Sequence, residues 1–173
     1  MIQQTDFEKE TGLPRFGCMF MSIVVAAWRT AENRDPRIDE VMRVHTDCIM
    51  ELVPTWENGK PAGDRPILEM VDPVTHMIYI NDPSAVLRKA LSYCSNGWRG
   101  KQWPDLDTVA PQYQPRDYKL AYTLLNFRRP SADGHWVLGD RSGMNVLYNP
   151  DESLDINWWG RSGAWRGLQV WRV

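Results

Sequence analysis

Three residues far apart in the chain carry the types needed for a hydrolytic device: Cys18, His135 and Asn149. A thiol attacks a carbonyl carbon as the thiolate, and an imidazole can remove its proton and later return it to a leaving amine. A carboxamide on the second ring nitrogen fixes the imidazole's tautomer and direction. Cys18 stands apart from Cys48 and Cys94 because Gly17 precedes it and an apolar run follows, so it opens a helix. A helix N-terminus favours a thiolate through its dipole. Cys48 and Cys94 read as small hydrophobes in or beside helices. His45 reads as a packed helix residue, and His76 has no nameable partner.

The pairing of His135 with Asn149 follows from a hairpin over 135–149. Arg141-Ser142-Gly143 predicts a three-residue loop with Gly at the left-handed position, which pairs Asp140 with Met144. Counting outward opposes Trp136 to Tyr148 and His135 to Asn149, with opposed Cβ atoms about 4.5–5.5 Å apart. The inference hangs on that turn, since a slip of one residue moves every side chain to the other face. Asp140 and Asp151 are the alternative orienters, although strand parity turns Asp140 away from His135.

The elements that must hold these groups divide the chain. Met19 to Arg29 predicts a buried helix. A second helix is expected over Pro36 to Val53, with Asp35 as N-cap and Pro36 first. Thr55 to Pro66, rich in Gly, Pro and Asn, reads as loop. Met77 to Ile80 reads as a short strand, and Asp82-Pro83 opens a helix running to about Tyr93. Residues 96–117 read as irregular. Strands follow at Tyr118 to Phe127, His135 to Asp140, Met144 to Tyr148 and Leu168 to Val173. The expectation is a single α+β domain over 1–173: a helical half to about 95, then an antiparallel meander over 118–173.

Composition narrows the function. The chain has 173 residues, 43% hydrophobic and 24% charged, with a formal net charge of −2. No basic excess is available to neutralise phosphates, so nucleic acid is not an expected partner. The apolar run from Cys18 to Trp28 is too short for a bilayer, which takes about 20 residues. It also has the wrong flank for an export signal, so no membrane insertion is expected. Three Cys without a CxxC pair suggest neither a disulfide set nor zinc, and no cofactor is expected. A reducing, cytoplasmic setting is the expectation. Nine Trp is a large number beside four Phe. Trp28, Trp136 and Trp171 lie in expected elements and read as core, and Trp56 lies in a loop. Trp98, Trp103, Trp158, Trp159 and Trp165 lie in irregular segments, where they either staple loops to the sheet or, for the first four, wall a substrate cleft.

The order of these motifs resembles a known family. Phe16-Gly17-Cys18-Met19-Phe20, then Gly134-His135-Trp136-Val137-Leu138-Gly139-Asp140, then Val146-Leu147-Tyr148-Asn149-Pro150 is similar to the papain-like cysteine peptidases. Within them it most resembles the small bacterial and phage group that includes bacteriocin-leader-processing peptidases. Gly167 to Val173 looks like that family's closing strand. The resemblance implies helices packed on an antiparallel sheet, with Cys18 and His135 facing each other across a cleft. It implies cleavage of a peptide or protein amide, with Cys18 as nucleophile, His135 as base and then acid, and Asn149 as orienter. A cell-wall amidase or endopeptidase acting on peptidoglycan peptides, and an inactive binding or inhibitory module, are the alternatives. One departure is plain: the family's Gln shortly before the Cys, which completes the oxyanion hole, is missing from residues 8–17. Gln3 and Gln4 lie farther back, and Arg15 is a possible stand-in.

Overall fold

A computed structural model describes residues 1–6, 9, 17–72, 77–94, 105–109, 122–128, 134–140, 145–156 and 166–172. Helices come first and the main sheet last, an α+β order. Helix α1 (Cys18–Glu32) buries every residue from Phe20 to Trp28. A helix apolar on all sides must be surrounded. Helix α2 (Ile38–Met50), helix α3 (Pro83–Tyr93) and the main sheet surround it.

Helix α2 is shorter than its sequence pattern suggests. Asp35 does not cap it, because Arg29 Nε holds that carboxylate at 2.6 Å. The helix starts after Arg37, whose N–H is accepted by Glu40 at 2.7 Å. Its buried face is Val41, Val44 and Cys48. Helix α3 follows expectation: Pro83 is its first residue, and the Asp82 side chain accepts the Ala85 N–H at 3.0 Å.

The expected loop at 55–66 is instead most of a hairpin, β1 (Leu52–Glu57) with β2 (Lys60–Pro66). Asn58 and Gly59 have φ of 50° and 75°, as a two-residue hairpin turn with positive φ at both positions requires. The Asn-Gly pair was the available signal. It was masked because the strands carry Pro and Gly and lack alternation, being exposed along nearly their whole length. Strand β3 (Leu68–Asp72) pairs antiparallel with β4 (Met77–Ile80).

The main sheet comprises β5 (Asp105–Val109), β6 (Thr123–Arg128), β7 (Gly134–Gly139), β8 (Val146–Tyr148) and β9 (Arg166–Arg172). Its order is β5-β9-β6-β7-β8. This corrects two expectations. The segment 96–117 contains a strand, and the last strand returns to lie between β5 and β6, so the sheet is not a simple meander. Alternating faces of β6 and β7 separate two apolar clusters. Leu124 and Leu138 join Tyr148 in the main core, with Trp136 at its margin. Leu125, Phe127 and Val137 pack with Ile156 on the other face. Trp28 is fully buried, whereas Trp56 is 64% exposed on β1.

Candidate active site

Helix α1 is fastened to the edge of β7 rather than only laid on the sheet. Strand β8 pairs with Leu138 and Gly139 and then ends, leaving the Trp136 backbone without a strand partner on that side among the described residues. The helix takes that place. Cys18 Sγ accepts the Trp136 N–H at 3.2 Å, and Ser22 Oγ donates to the Trp136 carbonyl at 3.4 Å. Farther along, Arg29 Nη1 donates to the Leu147 carbonyl at 3.3 Å. Residues 18, 22 and 29 share one helix face, so a single stripe docks on β7 and β8. This sets Cys18 beside the residue that follows His135.

Gly17 is the N-cap of α1 and offers no side-chain cap. The first N–H groups of a helix lack intrahelical acceptors, and here those of Cys18 and Met19 act on the thiol, as does that of Trp136. Each of them pulls the thiol pKa down. Burial is nevertheless larger, and the Asp151 carboxylate adds to it, so the net shift of Cys18 is upward. The expected helix-stabilised thiolate is therefore outweighed by desolvation. Burial also lowers the pKa of His135, against the upward pull of its bond to Asn149 and of Asp151. Both shifts favour a neutral resting pair, thiol and imidazole.

His135 Nε2 and Asn149 Oδ1 lie 2.7 Å apart. The same Oδ1 accepts the Asp151 N–H at 3.1 Å, and Asn149 Nδ2 donates to the Leu154 carbonyl at 3.4 Å. A flipped amide would set two donors against each other at Asp151, so the carboxamide orientation is determined. Nε2 must then carry the ring proton, which leaves the basic lone pair on Nδ1. His135 is 4% exposed.

The pair meets by a different route from the one the sequence suggests. Tyr148 lies opposite Leu138, not Trp136, and a bulge separates this pair from Gly139 opposite Val146. The turn closes farther out, where Asp140 N–H donates to the Asn145 carbonyl at 2.9 Å and the Asp140 carboxylate takes Asn145 Nδ2 at 2.6 Å. Asn149 does not oppose His135 in the ladder. It reaches the imidazole because the chain leaves the sheet after Tyr148 and turns.

Asp151, an alternative orienter in the sequence, is 6% exposed and faces the Asn149 turn. Its carboxylate accepts from Ser153 N–H, Ser153 Oγ and Gln4 Nε2 at 3.1, 2.5 and 3.1 Å. Gln3 and Gln4 thus lie at the orienting turn, although no local pattern links residues so far apart in the chain. Arg15, His76 and the cleft candidates Trp98, Trp103, Trp158 and Trp159 lie outside the described residues, as does Trp165. His45 sits edge-on to Phe20, with ring centroids 5.7 Å apart, and burial pushes its pKa down to about 4. Cys48 and Cys94 are buried, and burial pushes both thiols up to about 12.

Among the described residues, no group of three or more His, Cys, Asp or Glu could hold a metal ion, and no helix is long and apolar enough to cross a membrane. An open cleft of about 670 Å³ abuts Asn149, with Glu152, Ser153 and Asp155 among its walls, which include neither Cys18 nor His135. The site is thus defined by its contacts. Comparisons with protein-family models, curated proteins and solved structures find no match.

Proposed function

We propose that this chain is a papain-like thiol hydrolase that cleaves an amide bond in a peptide or protein. The observation that carries the reading is the 2.7 Å bond from His135 Nε2 to Asn149 Oδ1, next to a backbone N–H that rests on Cys18 Sγ. Cys18 waits as a thiol and His135 as a neutral base. As substrate closes over the pair, His135 takes the thiol proton and Sγ bonds to the carbonyl carbon. The carbonyl π electrons move onto oxygen, where the Cys18 N–H at the uncapped helix start is one donor. The imidazolium gives its proton to the leaving nitrogen as the C–N bond breaks, and a thioester remains. Water, deprotonated by His135, then displaces Sγ and releases the acid. Asn149 holds the ring so that the same nitrogen serves both transfers.

The direct test is incubation with a diverse peptide library and, separately, with a peptidoglycan suspension. The expected result is time-dependent peptide cleavage, lowered at least ~10³-fold in Cys18→Ser. Clearing of the cell-wall suspension with intact peptides would instead make the enzyme lytic. Activity on neither substrate would make the chain a binding module and contradict the proposal.

A further inference from the structure

Once β8 ends at Tyr148, no cross-strand backbone bond among the described residues holds Asn149. The turn has its own internal bonds, from the Asp151 N–H to Asn149 Oδ1 and from the Leu154 N–H to the Asp151 carbonyl at 3.1 Å each. Its outer side is fastened by residues 2–4. Tyr148 O–H donates to the Ile2 carbonyl at 2.8 Å, Gln3 Nε2 to the Asn149 carbonyl at 3.2 Å, and Gln4 N–H to the Pro150 carbonyl at 2.8 Å. Gln4 Nε2 reaches the Asp151 carboxylate at 3.1 Å, and the Glu152 N–H reaches Gln3 Oε1 at 3.0 Å. Asp6 stiffens the segment by accepting the Gln3 N–H at 2.7 Å. Each residue from Tyr148 to Glu152 therefore has a bond to the strap.

We infer that Gln3, Gln4 and Asp151 are positioning residues that hold the Asn149 carboxamide on His135. Asp151 is the joint of the device. Its backbone N–H fixes the Asn149 oxygen, and its buried carboxylate is tied to the strap through Gln4. Replacing the Gln4 side chain removes one donor from that carboxylate while the Gln4 N–H still holds the Pro150 carbonyl, so the turn loosens at Asp151 and the Asn149 oxygen leaves the line of Nε2. The ring then loses the acceptor that holds its proton on Nε2. Without its proton fixed on Nε2, Nδ1 is no longer reliably the base. This inference rests on the thiol-hydrolase reading for its effect on Cys18, but not for its effect on the ring.

The test uses the full chain in three variants: Gln3→Ala/Gln4→Ala, Gln4→Glu and Gln4→Lys. Nitrogen-15 NMR of the His135 ring reports the tautomer. The rate of Cys18 alkylation by iodoacetamide, divided by the rate in the same variant carrying His135→Ala, reports the assistance His135 gives. The wild type is expected to hold the Nε2–H tautomer. Gln3→Ala/Gln4→Ala, and Gln4→Glu with a carboxylate facing Asp151, should mix tautomers and lower the assistance on the order of 10-fold. Gln4→Lys keeps a donor to Asp151 and should retain both readouts. Unchanged tautomer and assistance in all three variants would overturn the inference. So would equal loss in Gln4→Lys and Gln4→Glu at matched circular dichroism. If the wild type shows no His135 assistance, the hydrolase reading fails, while the tautomer still decides the strap.

Discussion

At the scale of single residues, burial drives both the Cys18 thiol and the His135 imidazole towards neutrality, and on the proposed thiol-hydrolase reading this pair would set the chemistry. Protonated His135 cannot accept the thiol proton, and its pKa is lowered from 6.5. The base form therefore persists below the pH at which an ordinary His would lose it, and the acid limb of the pH–rate profile should lie below pH 6.5. Asp151 opposes this shift by favouring the imidazolium, so Asp151→Asn should move the limb to lower pH still. A limb at or above 6.5, or a shift upward in the variant, would contradict this assignment. Asn149 carries no charge, so its proposed part is orientation alone. Asn149→Ala should lower turnover on the order of 10²-fold, less than the ~10⁴-fold effect of losing a charged orienter that sets the tautomer. An unchanged KM would mark the loss as one of orientation. The sequence singled out Cys18, His135 and Asn149 by residue type and spacing, and the structure brings His135 and Asn149 into contact. The direction of the Cys18 shift was not, because burial is a property of the assembled core.

At the scale of elements, β7 brings the main core, Cys18 and His135 together, and its first residue is unusually confined. A Cβ on Gly134 would meet the Asn126 carboxamide at 2.5–3.0 Å. Asn126 is buried, and its Oδ1 has no hydrogen-bond partner among the described residues. Gly134→Ala should cost about 1–3 kcal/mol of stability, and Asn126→Ala in the same chain should recover much of it, a coupling readable from urea midpoints in a double-mutant cycle. Additive losses would show that the two residues do not collide. The long apolar run of α1 and the Asp82-Pro83 start of α3 were legible because helix spacing and caps are local. The register of β7 and β8 was not. The Asp140–Asn145 bonds close the turn farther out than Arg141-Ser142-Gly143 suggests, and a bulge takes up the difference. His135 and Asn149 were paired correctly by an argument whose register was wrong, because the departure of the chain after Tyr148 compensated for the slip. The β1–β2 hairpin was missed although Asn58-Gly59 marked it, since its residues carry Pro and Gly and no apolar–polar alternation.

At the scale of the whole molecule, segments far apart in sequence meet. Residues 2–4 reach the turn at 148–152, and β9 enters between β5 and β6. Such pairings carry no local signature, so sequence could name the layers but not their connections. Global stability should also depend on pH through His45, which packs on Phe20. Its pKa falls from 6.5 to about 4 on burial. Its contribution is therefore full above pH 6.5 and is lost as pH falls towards 4, a change of about 3 kcal/mol. Replacing it by a residue that does not titrate, His45→Phe, should flatten the pH dependence of the unfolding free energy over that range. An equally steep variant would place the acid sensitivity elsewhere.

The most direct measurement of whether Cys18 and His135 act as one device is alkylation of the three thiols by iodoacetamide across pH, mapped by mass spectrometry. Cys48 and Cys94 are buried, with pKa values near 12, and should react slowest. Cys18 should react faster than both at pH 7, and His135→Ala should remove that advantage while leaving the other two thiols unchanged. Labelling of Cys18 no faster than Cys48 and Cys94, or an advantage that survives His135→Ala, would contradict the assignment of this site.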